Sequence, residues 1–317
     1  MIGLLHAVAR HASGLLVLGL LIGILVPDLA RAMVPMIFPM VVFLLFLSTL
    51  RVDVVQAFAA WGKMPGYLGV TLVMQIGLPL LAIAVLGITG GLSSILGIGV
   101  VLVLAAAPLS GSPGLTLMVG GNPAPALRQL IIGTVLLPVT VLPVFWLMPV
   151  FGSPLVVGQA AVKLLGVIAV AGGFGLLLRQ RVDFFRTDKG ERAVEGMITA
   201  IMALVVIGLM SAVGPALVAG DSELWATLAV VCGLNFGTQS LAFWIMARIG
   251  QREAAPALAI IAGNRNLALF LGVVPASTAS DLLFFIGCYQ VPMYLTPLIM
   301  APVMRWLSRL ATTKRPR

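Results

Sequence analysis

The sequence predicts an all-α polytopic membrane protein, ten transmembrane helices in two inverted five-helix repeats, with helices four and nine broken. Three observations lead there. The 317 residues are 61% hydrophobic and only 9% charged, with mean hydropathy +1.15, whereas soluble domains run at about 45–50% apolar and about 25% charged. The apolar residues lie in long runs separated by short polar breaks, and motifs in one half of the chain recur in order in the other. At about 20 residues per span, roughly ten spans use about 200 residues. What remains is too short for a separate soluble domain, so the chain reads as one membrane domain over 1–317, and a soluble enzyme is excluded.

The apolar runs place helices at 12–28, 33–50, 65–88, 93–120, 126–149, 155–178, 194–219, 223–247, 254–274 and 281–304, with 305–317 as a basic tail. Ahead of the first, Met1–Ser13 carries His6, Arg10 and His11 and lacks a small-residue cleavage site before a polar domain. It reads as a retained interfacial segment, not a signal peptide. Helix three carries Gln75 and Pro79. Helix four is interrupted by Pro108-Leu-Ser-Gly-Ser-Pro-Gly114, where prolines remove backbone donors and glycines disfavour helix. Helix five carries Pro138 and Pro143, and helix six carries Lys163, placed to snorkel toward the outer interface. Helix eight holds Asn235 and Gln239, and helix nine is interrupted by Gly263-Asn264-Arg265-Asn266. Cys232 and Cys288 lie in apolar spans without framework spacing, which implies neither a disulfide scaffold nor a zinc site.

The net charge of +9, from 19 basic and 10 acidic residues, first raises nucleic acid as a partner. In so apolar a chain it is better explained by topology. With the N-terminus in the cytoplasm, Arg31 alone among the basic residues falls in an outer loop, and Lys163 and Arg265 fall within spans. The others gather on the cytoplasmic side, as the positive-inside rule requires for an even number of spans. Both termini are then cytoplasmic, with a bacterial inner membrane as the expected location and no nucleic-acid partner. All ten acids fall near one interface or the other: Asp53, Asp183, Asp188, Glu191, Glu195 and Glu253 inside, and Asp28, Asp221, Glu223 and Asp281 outside. No carboxylate is left at the midplane. This disfavours an intramembrane diphosphate–metal enzyme, a carboxylate proton relay, and the anionic half of a sodium site.

At an offset of 160, Gln75-Ile-Gly-Leu-Pro-Leu-Leu-Ala aligns with Asn235-Phe-Gly-Thr-Gln-Ser-Leu-Ala, and the register continues to Gly90 against Gly250. Pro138 and Pro143 recur as Pro292 and Pro297. Repeat one spans 12–149 and repeat two 155–304. Because five is odd, the second repeat enters from the opposite side, as in many secondary transporters, whose sites form at paired helix breaks.

In these residues the chain resembles the bile acid:sodium symporter family, part of a wider group that includes arsenite and riboflavin carriers. The likeness rests on Gln75 before Pro79, the helix-four break running to Gly121-Asn122, Asn235-x-Gly237, and Gly263-x-x-Asn266, and it covers essentially the whole chain. It implies a panel of helices 12–50 and 155–219, and a core of helices 65–149 and 223–304 in which helices four and nine cross. Substrate would enter the crevice between panel and core. The departures fall on the family's sodium ligands. Its helix-nine Glu and Gln positions hold Ile261 and Arg265, its Ser-Asn pair aligns near Ser112, Pro113 and Gly114, and its Thr-Ser pair falls on Leu130 and Ile131.

A guanidinium at the midplane costs about 2.5–3.5 kcal/mol by insertion scales, so Arg265 is expected to face the interior. It suits either a fixed charge in the place of a bound cation, attracting an organic anion, or a cap on the carbonyls of the helix-four break. The expected substrate and ion site comprises Arg265, Asn264, Asn266, Ser110, Ser112, Gln75, Asn235 and Gln239, with no metal and no catalytic residue. Three functions compete: a sodium-independent organic-anion carrier, a sodium-coupled symporter using the serine, asparagine and glutamine oxygens, and a non-transporting receptor or subunit.

Overall fold

Helix boundaries in this chain follow from prolines and glycines more than from charge. The computed structural model describes residues 2–51 and 64–313; the expectations at Asp53, Lys63, Lys314, Arg315 and Arg317 lie outside them. In chain order the helices are α1 (Ile2–Arg10), α2 (Ala12–Leu25), α3 (Pro27–Met33), α4 (Ile37–Thr49), α5 (Met64–Leu72), α6 (Leu78–Thr89), α7 (Ile95–Ala105) and α8 (Ser112–Met118). They continue with α9 (Pro123–Leu147), α10 (Pro154–Arg181), α11 (Asp188–Leu209), α12 (Val213–Ala219), α13 (Ser222–Arg248), α14 (Ala255–Gly263) and α15 (Ala276–Thr313). A wide π turn, Val73–Gly77, joins α5 to α6, and a 3-10 segment, Leu267–Gly272, follows α14.

Among the described residues seven helical stretches are long and apolar enough to cross a membrane. The pair α1 and α2, bent by 81°, would make an eighth. Side chains such as Ile88 (89% exposed), Val170 (72%) and Leu155 (70%) cover the outside of the bundle. A contiguous apolar exterior of this kind is matched to lipid, not water. The protein is an integral multi-pass membrane protein.

Most expected helices appear near their expected positions, with differences that have physical causes. Helix seven begins at Asp188 instead of 194, because Thr187 accepts from the Gly190 amide at 3.1 Å and caps the helix in the polar stretch where apolar counting stops. The same helix ends at Leu209 and resumes as α12, since Pro215 cannot donate to the preceding turn. The last helix runs through Thr313, into the stretch read as a tail. Pro138 and Pro143 leave α9 continuous.

The paired glycines of the sequence repeat sit in matching turns. Gly90 and Gly250 both adopt left-handed backbone, at φ 74° and 84°. The following amides close the same loop: Gly91 donates to Leu86 O and Gln251 to Met246 O, each at 2.9 Å. This is the C-terminal cap that glycine permits at least cost. One end of the bundle is tied by Arg179, which donates to Leu50 O (2.5 Å), Phe185 O (2.6 Å) and Glu191 (3.1 Å), joining α4, α10 and α11.

Candidate functional site: the meeting of two helix breaks

The two polar interruptions read from the sequence lie against each other. After α7, Ala106 turns to extended backbone (φ −63°, ψ 153°), and after α14 Asn264 does the same (φ −115°, ψ 98°). The extended pieces pair antiparallel: Leu109 N donates to Asn264 O at 3.0 Å and Asn266 N to Ala107 O at 2.8 Å, flanking an isolated bridge between Pro108 and Arg265. Pro108 occupies the position in that bridge whose amide is not used, so its missing donor costs nothing.

Arg265 is 2% exposed and is held by backbone oxygen. Its Nη1 donates to Ala106 O at 3.0 Å, Nε to Ala262 O at 3.4 Å, and Nη2 to Met74 O at 3.5 Å. Ala106 and Ala262 lie at the C-terminal ends of α7 and α14, where unsatisfied carbonyls carry the negative end of each helix dipole. Met74 O is free for a separate reason. In the π turn the Leu78 amide reaches back to Val73 O, and the next residue, Pro79, has no N–H to offer. None of the salt bridges among the described residues involves Arg265.

A neutral polar layer surrounds this point. Gln75, 1% exposed, donates to Gly133 O and accepts from the Thr140 hydroxyl, both at 2.8 Å. On the other side Asn235 and the Tyr289 hydroxyl both donate to Gly263 O. Gln239 donates to Asn235 Oδ1 (2.6 Å) and Thr296 (3.1 Å), and Asn264 donates to Ile260 O (2.7 Å). Gly263 is required by the close approach, because a Cβ there would run into Asn235 O and Gln239 Cγ. The buried oxygens Ser110 Oγ, Ser112 Oγ and Gln239 Oε1 have no hydrogen-bond partner. Asn266, 8% exposed, contributes through its backbone amide.

All eight expected site residues are therefore buried. Asn264, Arg265 and Asn266 meet the helix-four break through backbone and guanidinium, Asn235 reaches the helix-nine break at Gly263 O and Gln239 reaches it through Asn235, whereas Gln75 bonds to α9 and the Ser110 and Ser112 hydroxyls bond to no partner. The sequence reading missed Thr140, Tyr289, Thr296 and Gly133. Thr140 and Thr296 follow closely on the repeated prolines Pro138 and Pro292, and that proximity was the available signal. Lys163 is exposed on α10.

Neither of two cavities touches Arg265, and only the smaller is lined by residues of the helix-four break, Gly111 and Gly114. One of about 340 Å³ lies between α4, α9 and α10; its lining is apolar apart from Ser48, Thr49 and Thr134, and includes Leu130 and Ile131. The other, of about 20 Å³, is lined by residues of α2, α8 and α11 together with Gly111 and Arg51. No family model matches the chain, and no curated protein matches it.

Proposed function

We propose that this protein is a carrier for a small organic anion, working by alternating access, in which Arg265 is a resident cation that takes the place of a transported ion. The observation that carries this reading is the coordination of Arg265 by three backbone carbonyls, two from the broken ends of α7 and α14 and one released by the π turn. In transporters with broken helices, such carbonyl ends bind the coupling cation. Here a side chain satisfies them permanently, so sodium has no vacancy to fill at that point and the charge is present before substrate arrives.

The wider architecture supports the same reading. Counting the bent pair α1–α2 and the two broken pairs with the seven long spans gives ten membrane crossings. Ten crossings support placing the basic end of the bundle in the cytoplasm. Helices α2–α4 and α10–α12 then form the panel, and α5–α9 with α13–α15 form the core. The 340 Å³ crevice falls between panel and core and has the size and apolar lining to hold the body of an amphipathic anion.

A second reading, sodium-coupled symport, is favoured by the orphaned oxygens of Ser110, Ser112 and Gln239, which an ion could use. The two separate cleanly. Purified protein is screened by thermal shift against small organic anions in choline and in sodium buffers, and the best ligand is followed into proteoliposomes. Flux indifferent to a sodium gradient is the expected result; strict sodium dependence defeats the resident-cation reading.

A further inference from the structure

The crevice of about 340 Å³ owes its size to two missing side chains. At Gly175 a Cβ would run into Thr49 and Phe46 O, so α10 and α4 are in close contact there. Just before it, α10 carries Gly172 and Gly173, and the contact opens. A Cβ at Gly173 would meet nothing within 4 Å, and one at Gly172 would meet only Thr49 Cγ2, at 3.7 Å. The space continues along α10 from Leu176 back to Leu165, a length of about 16 Å at 1.5 Å per residue. That is the depth of one leaflet, about half of a hydrocarbon core of about 30 Å.

No charged residue lines this slot. The Ser48 and Thr49 hydroxyls donate to Leu44 O and Phe46 O, both at 2.7 Å, so they offer a ligand only oxygen lone pairs. Val135 (60% exposed) and Leu165 (55%) belong both to the lining and to the apolar exterior, so the slot opens sideways toward lipid. An alkyl chain passing from lipid into it exchanges one apolar surrounding for another. Selection of an occupant therefore falls to its head group. Arg128 stands one turn beyond the slot on α9, at the helical spacing that puts it on the face of Ile131 and Val135, both of which line the slot. It is partly buried, and among the described residues no salt bridge or hydrogen bond engages it. Arg179, at the same end of the bundle, is held by Leu50 O, Phe185 O and Glu191.

We infer that the slot binds a single-chain fatty carboxylate of leaflet length, drawn from the adjoining leaflet, with its alkyl chain against Gly172 and Gly173 and its carboxylate paired with Arg128. The guanidinium fork matches a planar two-oxygen head, and the head stays at the interface, outside the uncharged slot. A diacyl lipid carries a second chain that one slot does not hold, and a short acid leaves the slot unfilled. Arg265 stays with its carbonyls and takes no part in holding the head. As the cargo of a carrier, the acid rests on the organic-anion reading above and narrows it to acids with a long chain.

The test is binding of radiolabelled dodecanoate to the purified full chain in phosphatidylcholine nanodiscs, read as the saturable part above uptake by empty discs. Wild type saturates. Gly173→Leu fills the slot and abolishes the saturable part; Ala169→Phe does the same from one turn away and carries the test if the first variant does not fold. Arg128→Gln raises the half-saturating concentration about tenfold, as the loss of one charge-assisted hydrogen bond implies. Dodecanol, with the chain and no charge, and butyrate, with the charge and no chain, both compete far more weakly than dodecanoate. Uptake that never saturates, binding unaltered by the filling variants or by Arg128→Gln, or dodecanol competing as well as dodecanoate overturns the proposal. Displacement of dodecanoate by phosphatidylglycerol placed in the disc assigns the slot to a phospholipid and overturns it too. None of these readouts involves flux or sodium, so sodium-dependent flux sinks the resident-cation reading alone, and absent dodecanoate binding sinks the fatty-acid site alone.

Discussion

Among the described residues two buried arginines solve the same problem with different partners. Arg179 is 8% exposed and has Glu191 beside it, whereas Arg265 at 2% is held by carbonyls alone. Arg265 was legible in the sequence because a cation in mid-span is costly wherever it sits. Its acceptors were not, because every residue type carries the same carbonyl and only the fold decides which ones lose their intrahelical partner. The neutral layer around it makes its own predictions. Gln75→Leu strands Gly133 O and the Thr140 hydroxyl, and is expected to cost about 1–3 kcal/mol, seen as a lower thermal midpoint in detergent; an unchanged midpoint would show that water replaces the amide freely. Gly263→Ala forces a methyl group into Asn235 O and Gln239 Cγ. It is expected to cost about 1–3 kcal/mol through overpacking, and midpoint measurement checks it in the same way.

At the scale of elements, proline decides which carbonyls face inward. Pro79 makes the π turn useful, since an amide at that position would let the helix close regularly and Leu78 would reclaim Met74 O. A double-mutant cycle of Pro79→Ala and Arg265→Gln is therefore expected to show coupling of about 1 kcal/mol or more; additive effects would mean that the turn and the guanidinium are independent. The breaks themselves were legible as Pro/Gly clusters in apolar runs, but their antiparallel pairing was not, because it depends on backbone amides of Leu109 and Asn266. The helix edges at Asp188 and Thr313 escaped for a different reason. Hydropathy marks where the membrane ends, and a capped or amphipathic helix continues past it.

For the whole molecule, composition alone pointed to the membrane class, and Gly90 and Gly250, which the offset of 160 pairs, both close left-handed turns, as Gly120 and Gly220 do as well. The crevice volumes and the seam between α8 and α11 had no counterpart in the sequence, since they depend on packing between helices far apart in the chain. Orientation is open to direct measurement. With Cys232 and Cys288 replaced by serine, cysteines at Ser153 and Ser222 are expected to react with an impermeant maleimide from outside the cell, and those at Thr187 and Gly250 only after permeabilisation. Any reversal within either pair breaks the ten-crossing count. The central claim, that the cation is built into the chain, is tested most directly by thermal unfolding of the wild type and Arg265→Gln in sodium chloride and in choline chloride at equal ionic strength. The wild-type midpoint is expected to be indifferent to the cation, and the variant to be destabilised in choline and to recover as sodium is titrated in. A saturable stabilisation of the wild type by sodium, or a variant as stable as the wild type in choline, would contradict it.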